Sequence, residues 1–292
     1  MATVMCRNCS LIYINPRMTS EDYDNYYKYF YRVDRNTIKG TTTDAELERN
    51  FENARKFGRA LGRRYQKFFK LGLAVDVGSS TGGVLYGLRE ALPALKILGI
   101  EPSVAESELA RSRGVPTKTV LFENFRDVLP EVPANIFCVQ SLNHLLDPKG
   151  FMAWAYEALT AGGSLFLAVK NFRHQARRAG SIEAGVQIDH PYMFTPETLR
   201  AMIESVSFRI VVFEIDEGKS QDELLIQRAE GLPRHHIRVV AVKDNLNKVQ
   251  VVLPSFWAQL KLRLALSWPI LKLFYLAKYS HWLTWQKSKS VV

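Results

Sequence analysis

The stretch Val75-Asp76-Val77-Gly78-Ser79-Ser80-Thr81-Gly82-Gly83 decides how this chain is read. Leu73 to Val77 is a short apolar run with the character of a buried strand, and Gly82 to Leu92 has the character of a helix. The small residues between them form a tight strand-to-helix turn. Small side chains let the backbone approach a ligand closely, and the free amides of a helix N-terminus favour anions. Glycines alone fit a tight turn that binds nothing equally well. Two acids add to them. Asp76 takes a strand-end position where an apolar residue would pack as well. Glu101, in Ile100-Glu101-Pro102, ends the next apolar run. An acid about 20 residues past the glycines, at the end of the second strand, is placed to receive the ribose hydroxyls of a nucleoside.

Working outward, the alternation continues. Ala45 to Phe69 holds apolar residues near helical spacing and predicts one long helix. Strands are expected at Lys96–Ile100, Thr119–Phe122, Ile136–Gln140 and Ser164–Val169, then at Phe208–Ile215 and His236–Val242. Helices are expected from Ser103 to Arg113, opened by a capping box of Ser103 and Glu106, and from Asp147-Pro148 to Leu159. A further helix is expected from Thr195-Pro196 to Ser205. Strands alternating with helices predict an α/β chain with a mostly parallel sheet covered on both faces.

Five segments in order resemble class I S-adenosylmethionine-dependent methyltransferases. Leu73 to Leu85 looks like the Asp-x-Gly-x-Gly-x-Gly motif, and Leu98 to Pro102 like the second strand with its ribose acid. Asn135 to Pro148 resembles the fourth strand and the Glu-His-x-x-Asp-Pro segment after it. Leu159 to Leu167 is similar to the Leu-x-Pro-Gly-Gly turn. His190 to Phe208 resembles the His-x-x-x-Phe-Thr segment and the strand after it. Four positions depart from the pattern: Ser80 stands for the middle Gly, Asn143 for the Glu before His144, Asn135 for an Asp and Ala161 for a Pro. The resemblance implies a Rossmann-like, doubly wound, seven-stranded sheet with S-adenosyl-L-methionine as cofactor. It implies that Asp76, Gly78, Ser80 and Gly82 shape the methionine side and that Glu101 takes the ribose. Glu123 and Asn124 would reach the adenine amine, and Gln140 counts among the cofactor-binding residues. A solvated strand end remains the other reading of Glu123 and Asn124.

Methyl transfer from a sulfonium is an in-line displacement that needs alignment, and a base where the nucleophile is a hydroxyl. His144, after the fourth strand, is the first candidate base and His190 the second. His144 can equally be a hydrogen-bonded structural histidine, and a satisfied loop histidine is the favoured reading of His190. Arg173, His174, Arg177 and Arg178 lie in Lys170–Asp189, read as a loop that either grips an anion or is simply solvated. The acceptor class implied is a small molecule or glycan, including a lipid-linked one, methylated at oxygen. A non-catalytic binding protein that keeps the fold is the alternative. A dinucleotide-dependent oxidoreductase is disfavoured, because its fingerprint wants Gly where Ser80 stands.

The chain has 292 residues, 47% of them apolar and 23% charged, which excludes a disordered chain or a small disulfide scaffold. Its net charge is +10. Six basic residues and no acid lie between 251 and 292, together with four of the five Trp, leaving the rest at only +4. The tail therefore reads as amphipathic. Its residues 254–285 either meet a membrane surface or pack on protein; too much aliphatic surface and one Arg argue against nucleic acid. Cys6-x-x-Cys9 resembles the second half of a zinc ribbon. With two ligands where a structural zinc wants four, no bound metal is expected. Tyr23, Tyr26, Tyr27, Tyr29 and Tyr31 either pack on the domain or cover the cofactor. Three segments follow: an N-terminal extension over 1–44, a catalytic domain over 45–245 and the basic tail over 246–292. The expected location is cytoplasmic, peripheral at the inner membrane face, with oligomeric state open.

Overall fold

The computed structural model describes residues 2–31, 43–125, 127–187 and 189–244, with scattered positions between 260 and 273. Its strands are β1 (Ala2–Met5), β2 (Ile12–Asn15), β3 (Leu73–Val77), β4 (Lys96–Glu101), β5 (Thr117–Thr119), β6 (Pro133–Val139), β7 (Ser164–Lys170), β8 (Tyr192–Met193), β9 (Phe208–Glu214) and β10 (His236–Lys243). Its helices are α1 (Ser20–Asn25), α2 (Thr43–Tyr65), α3 (Gly83–Ala91), α4 (Val104–Ser112), α5 (Pro148–Ala158), α6 (Phe172–Ala179), α7 (Ile182–Gly185), α8 (Pro196–Glu204) and α9 (Gln221–Ala229). The chain divides into two compact units. One is Met18–Val169 with Ile203–Val249, and the other is Met1–Arg17 with Lys170–Met202 and Gln250–Val292.

The larger unit carries a seven-stranded sheet in the order β5-β4-β3-β6-β7-β10-β9. The pairs β3/β4, β3/β6, β4/β5 and β6/β7 are parallel, and β9/β10 is antiparallel. This is the doubly wound, mostly parallel sheet expected from the sequence. The chain steps outward from β3 to β4 and β5, then returns to the other side of β3 as β6. The strand order therefore reverses at β3, and crevices at such switch points hold ligands. Every residue of β3 and β6 is buried, as strands covered on both faces require.

Helix α2 covers one face with Phe57, Leu61 and Tyr65 buried. It crosses α3 so closely that a Cβ at Gly87 would stand 2.0 Å from the Arg55 carbonyl oxygen. Arg55 and Arg59 both reach Glu90 across this contact, at 2.5 and 2.7 Å. The helix ends at Tyr65, short of the expected Phe69, and Gln66–Phe68 form a 3-10 turn.

Other boundaries needed correction. The third strand lies at Thr117–Thr119, and Phe122–Asn124 turn as a 3-10 element. The capping box at Ser103 is absent: its side chain makes no cap bond, and its amide instead donates to Glu101 Oε1 at 2.8 Å. A true capping box opens α9, where Ser220 and Glu223 exchange bonds. The expected loop after β7 holds α6, because Asn171 caps it and Phe172 and Ala176 bury one face.

In the smaller unit, β1, β2 and β8 form an antiparallel sheet. Its core is Ile12, Ile14, Phe172, Ala176, Met193 and Leu266. Cys6 and Cys9 sit on the turn between β1 and β2, both with free thiols, and the Cys6 amide donates to the Leu11 carbonyl at 2.8 Å. Among the described residues no helix is long and apolar enough to cross a membrane. The polar connection at 34–44 and the aromatic tail at 254–285 lie largely outside the described residues; of the tail, Leu266 is buried in that core.

Asn135 explains one departure from the family pattern. It is fully buried, accepts the Lys70 amide at 3.0 Å and donates to the Lys70 carbonyl at 2.7 Å. Ser164 also donates to its Oδ1 at 2.9 Å. The residue thus ties the approach to β3 to β6 and β7. An Asp has no N–H to give, so Asn135→Asp leaves a buried carbonyl facing a carboxylate. The expected cost is about 1–3 kcal/mol, read as a lowered urea midpoint. An unchanged midpoint would remove Asn135 from this role.

Candidate cofactor and catalytic site

The site is built where β3 turns into α3. The Gly78 and Ser79 amides both donate to the Ile100 carbonyl, at 2.8 and 3.1 Å, which fastens the turn to the end of β4. Ser80 and Gly82 take left-handed backbone angles, φ 49° and 75°. Glycine is indifferent to that region, but a side chain there costs on the order of 1 kcal/mol. Ser80 offsets that strain by donating its amide to Glu101 Oε2 at 2.8 Å. A Cβ on Gly78 would stand 2.4 Å from Ser141, whose hydroxyl donates to the Gly78 carbonyl at 2.9 Å. Ser141 therefore joins the ends of β3 and β6, a role with no sequence signal beyond its place after a strand.

Acids and amides line this edge. Asp76 is 1% exposed, and its Oδ1 is buried with no hydrogen-bond partner. Burial, then the nearby Glu101 charge, pushes its carboxyl up to about 8. Glu101 is also buried, with each oxygen accepting one amide, from Ser80 and from Ser103. Glu123 accepts the Leu146 amide through Oε1 at 2.7 Å, while its Oε2 is buried without a partner. Asn143 is buried and its Oδ1 likewise has none. Gln140 follows β6 with φ 57° and is half-buried, whereas Asn124 is exposed.

His144 lies on the 3-10 turn Leu142–His144, its amide bound to the Ser141 carbonyl at 2.9 Å. Its Nδ1 is 2.7 Å from the Tyr27 hydroxyl. Tyr23 and Tyr27 are buried against Leu121 and Leu146, so the tyrosine segment packs beside this turn. Nothing in the sequence marks Tyr27 above its neighbours. His190 belongs to the smaller unit, is buried, and places Nε2 3.9 Å from Asp189 Oδ1. There Arg173 pairs with Glu197, so the basic cluster is partly neutralised within its own unit.

The edge thus presents buried acceptor oxygens beside a turn whose glycines let it pack closely on Ser141, Ala110 and Val115. Acceptors of this kind suit a cation rich in N–H and O–H groups, and S-adenosylmethionine is one: an ammonium, a sulfonium, an adenine amine and ribose hydroxyls.

A family model described as a methyltransferase domain matches residues 48–212, more than half of the chain. The chain belongs to this family. It is a SAM-dependent methyltransferase whose cofactor is S-adenosyl-L-methionine. Among solved structures, two of the plantazolicin methyltransferase BpumL are similar to it. The complex with SAH is 14% identical, with 77% of this chain and 98% of that one covered and a TM-score of 0.52. The complex with SAH and a monoazolic desmethylPZN analog is 13% identical, covering 77% and 97%, with a TM-score of 0.53. A SAM-dependent methyltransferase of Thermotoga maritima is 20% identical, covering 68% and 96%, with a TM-score of 0.47. The BpumL likenesses establish the fold. No curated protein sequence matches the chain at a significant level.

The raised Asp76 carboxyl has a measurable consequence. Between its ordinary range near 4 and about 8 the folded state holds a proton that the unfolded state has released. Stability contributed by this group is therefore lost as pH rises through that window and does not return above it. Asp76→Asn removes the effect. The urea midpoint of the variant should gain on the native chain from about pH 5 to about pH 8. A constant difference across that range would contradict a buried, proton-holding Asp76.

Proposed function

We propose that the chain transfers a methyl group from S-adenosyl-L-methionine to a hydroxyl oxygen of a small-molecule or glycan acceptor, with His144 as the base. The observation that carries the reading is the set of buried, unpartnered oxygens of Asp76, Glu123 and Asn143 at the carboxyl edge of the sheet. A buried acceptor without a donor costs roughly 1–3 kcal/mol, so these groups are explained by a ligand that supplies donors.

In this reading Asp76 lies towards the methionine part, and Glu101, fixed by the Ser80 and Ser103 amides, accepts the ribose hydroxyls. Glu123 Oε2 accepts from the adenine amine, and Gly78, Ser80, Gly82 and Gln140 line the backbone cradle. Asn124, being exposed, contributes least. When bound, the cofactor supplies a methyl group already activated by the adjacent sulfonium. The protein's own work is to align the acceptor, exclude water and take up one proton. His144 suits the last task because it stands on the turn after β6, beside the cradle and in the same unit. Asn143 in place of a Glu leaves that turn without a second charge. His190 remains the second candidate base.

The glycan reading, and a lipid-linked acceptor in particular, rests on resemblance together with the basic, Trp-rich composition of the tail. The division at 44/45 and 245/246, the cytoplasmic setting and the contact of 254–285 with an anionic membrane face belong to the same proposal. Flotation of the full chain with anionic vesicles supports that contact, and a chain left at the bottom refutes it.

Glu101→Ala should weaken S-adenosylmethionine binding at least about tenfold in calorimetry, because it removes a charged acceptor and loosens the turn. Undiminished affinity would refute the ribose assignment. A labelled-methyl assay on fractionated lysate and membranes tests the acceptor. Label should enter small molecules or the glycan-lipid fraction, and label confined to nucleic acid or protein contradicts the proposal.

A further inference from the structure

The tyrosine segment carries an inference that rests on the proposed role of His144 and deepens it. Tyr26–Phe30 form a π-helical turn directly after α1, closed by the Tyr31 amide donating to the Tyr26 carbonyl. Wide turns of this kind concentrate at functional sites. Here the turn gathers four rings. Tyr27 packs against Tyr23, Tyr26 and Tyr31 with centroids 5.1, 5.5 and 4.9 Å away. It is 9% exposed and shares a buried cluster with Tyr23, Leu121 and Leu146. The phenol ring is thus held by packing on several sides, and its hydroxyl meets Nδ1 of His144 at 2.7 Å. The imidazole is held from the main-chain side as well, since the His144 amide bonds to Ser141.

We propose that Tyr27 is the positioning residue of His144: its phenolic oxygen accepts the Nδ1 proton and keeps Nε2 as the nitrogen that takes the acceptor's proton. A neutral imidazole carries one proton, and the partner of one nitrogen decides the state of the other. In Ser-His-Asp sites a carboxylate does this at Nδ1. A tyrosine hydroxyl has the acceptor lone pairs to do the same while remaining neutral. The Nδ1–H bond to Tyr27 persists when the ring is protonated at Nε2, so the ring need not turn between accepting and releasing the proton. An uncharged partner stabilises imidazolium less than a carboxylate does. Loss of Tyr27 should therefore lower kcat by about 10- to 100-fold, the range for groups that orient a reacting ligand, and leave KM for S-adenosylmethionine unchanged.

The direct test needs no acceptor. The full chain labelled with 15N-histidine has six ring systems. The His144 signals are those lost in His144→Asn. In the native chain, above the titration of this ring, Nδ1 should show the shift of a protonated nitrogen and Nε2 that of an unprotonated one. In Tyr27→Phe the ring should move towards the opposite tautomer. A native His144 protonated at Nε2 overturns the proposal, as does a tautomer unaltered by Tyr27→Phe. The native measurement stands even if the variant folds poorly. The parent reading fails separately: His144→Asn that still methylates the membrane-lysate fraction labelled by the native chain removes His144 as base, whatever the spectra show.

Discussion

The carboxylate of Glu101 is the bond on which this site depends. One oxygen holds the Ser80 amide in the turn after β3, and the other holds the Ser103 amide at the start of α4. A charged acceptor spanning two backbone donors fixes the relative height of two adjacent strand ends. The parallel register agrees, with Asp76 opposite Gly99 and Val77 opposite Ile100. The same carboxylate makes it costly for Asp76 to ionise nearby, since two buried charges of one sign repel. Under the proposed function, these two acids at the edge of the central strands face the cationic cofactor.

The rest of the larger unit supports the arrangement. The crossing of α2 over α3, made close by Gly58 and Gly87, packs α3 firmly against α2. Asn135 and Ser141 bind the two ends of the neighbouring strands to the loops around β3. Asn135 is fully buried and Ser141 partly so, and for a buried polar group imperfect satisfaction is expensive. The departures from the family pattern read differently in this light. Asn135 meets both backbone groups of Lys70, which an Asp could not do. Ser80 tolerates a left-handed turn because Glu101 holds its amide.

The alternation of strands and helices was legible in the sequence because the central strands are apolar runs bounded by Gly, Pro and acids. β3 appears at the residues expected, Leu73–Val77. What misled were local signals with competing uses. Ser103-x-x-Glu106 has the spacing of a capping box, but the amide it needs is taken by Glu101, a tertiary contact no local rule contains. The genuine box at Ser220 and Glu223 has the same spacing, so spacing alone does not discriminate between them. Helix α6 was obscured by its three arginines, although Phe172 and Ala176 carry the buried face. The acids of the site were legible at strand ends. Tyr27 was not, because its contact with His144 joins residues 117 positions apart. The family match over 48–212 agrees with the five ordered segments from which the enzyme class was read.

Calorimetric titration of the full chain with S-adenosyl-L-methionine near pH 7, in two buffers of different ionisation enthalpy, reads both the binding and the proton it moves. Asp76, neutral before binding, should ionise when a cation is brought beside it. Saturable binding at one site with proton release is expected, seen as an enthalpy that shifts with the buffer. No saturable binding, or binding with proton uptake, would contradict it.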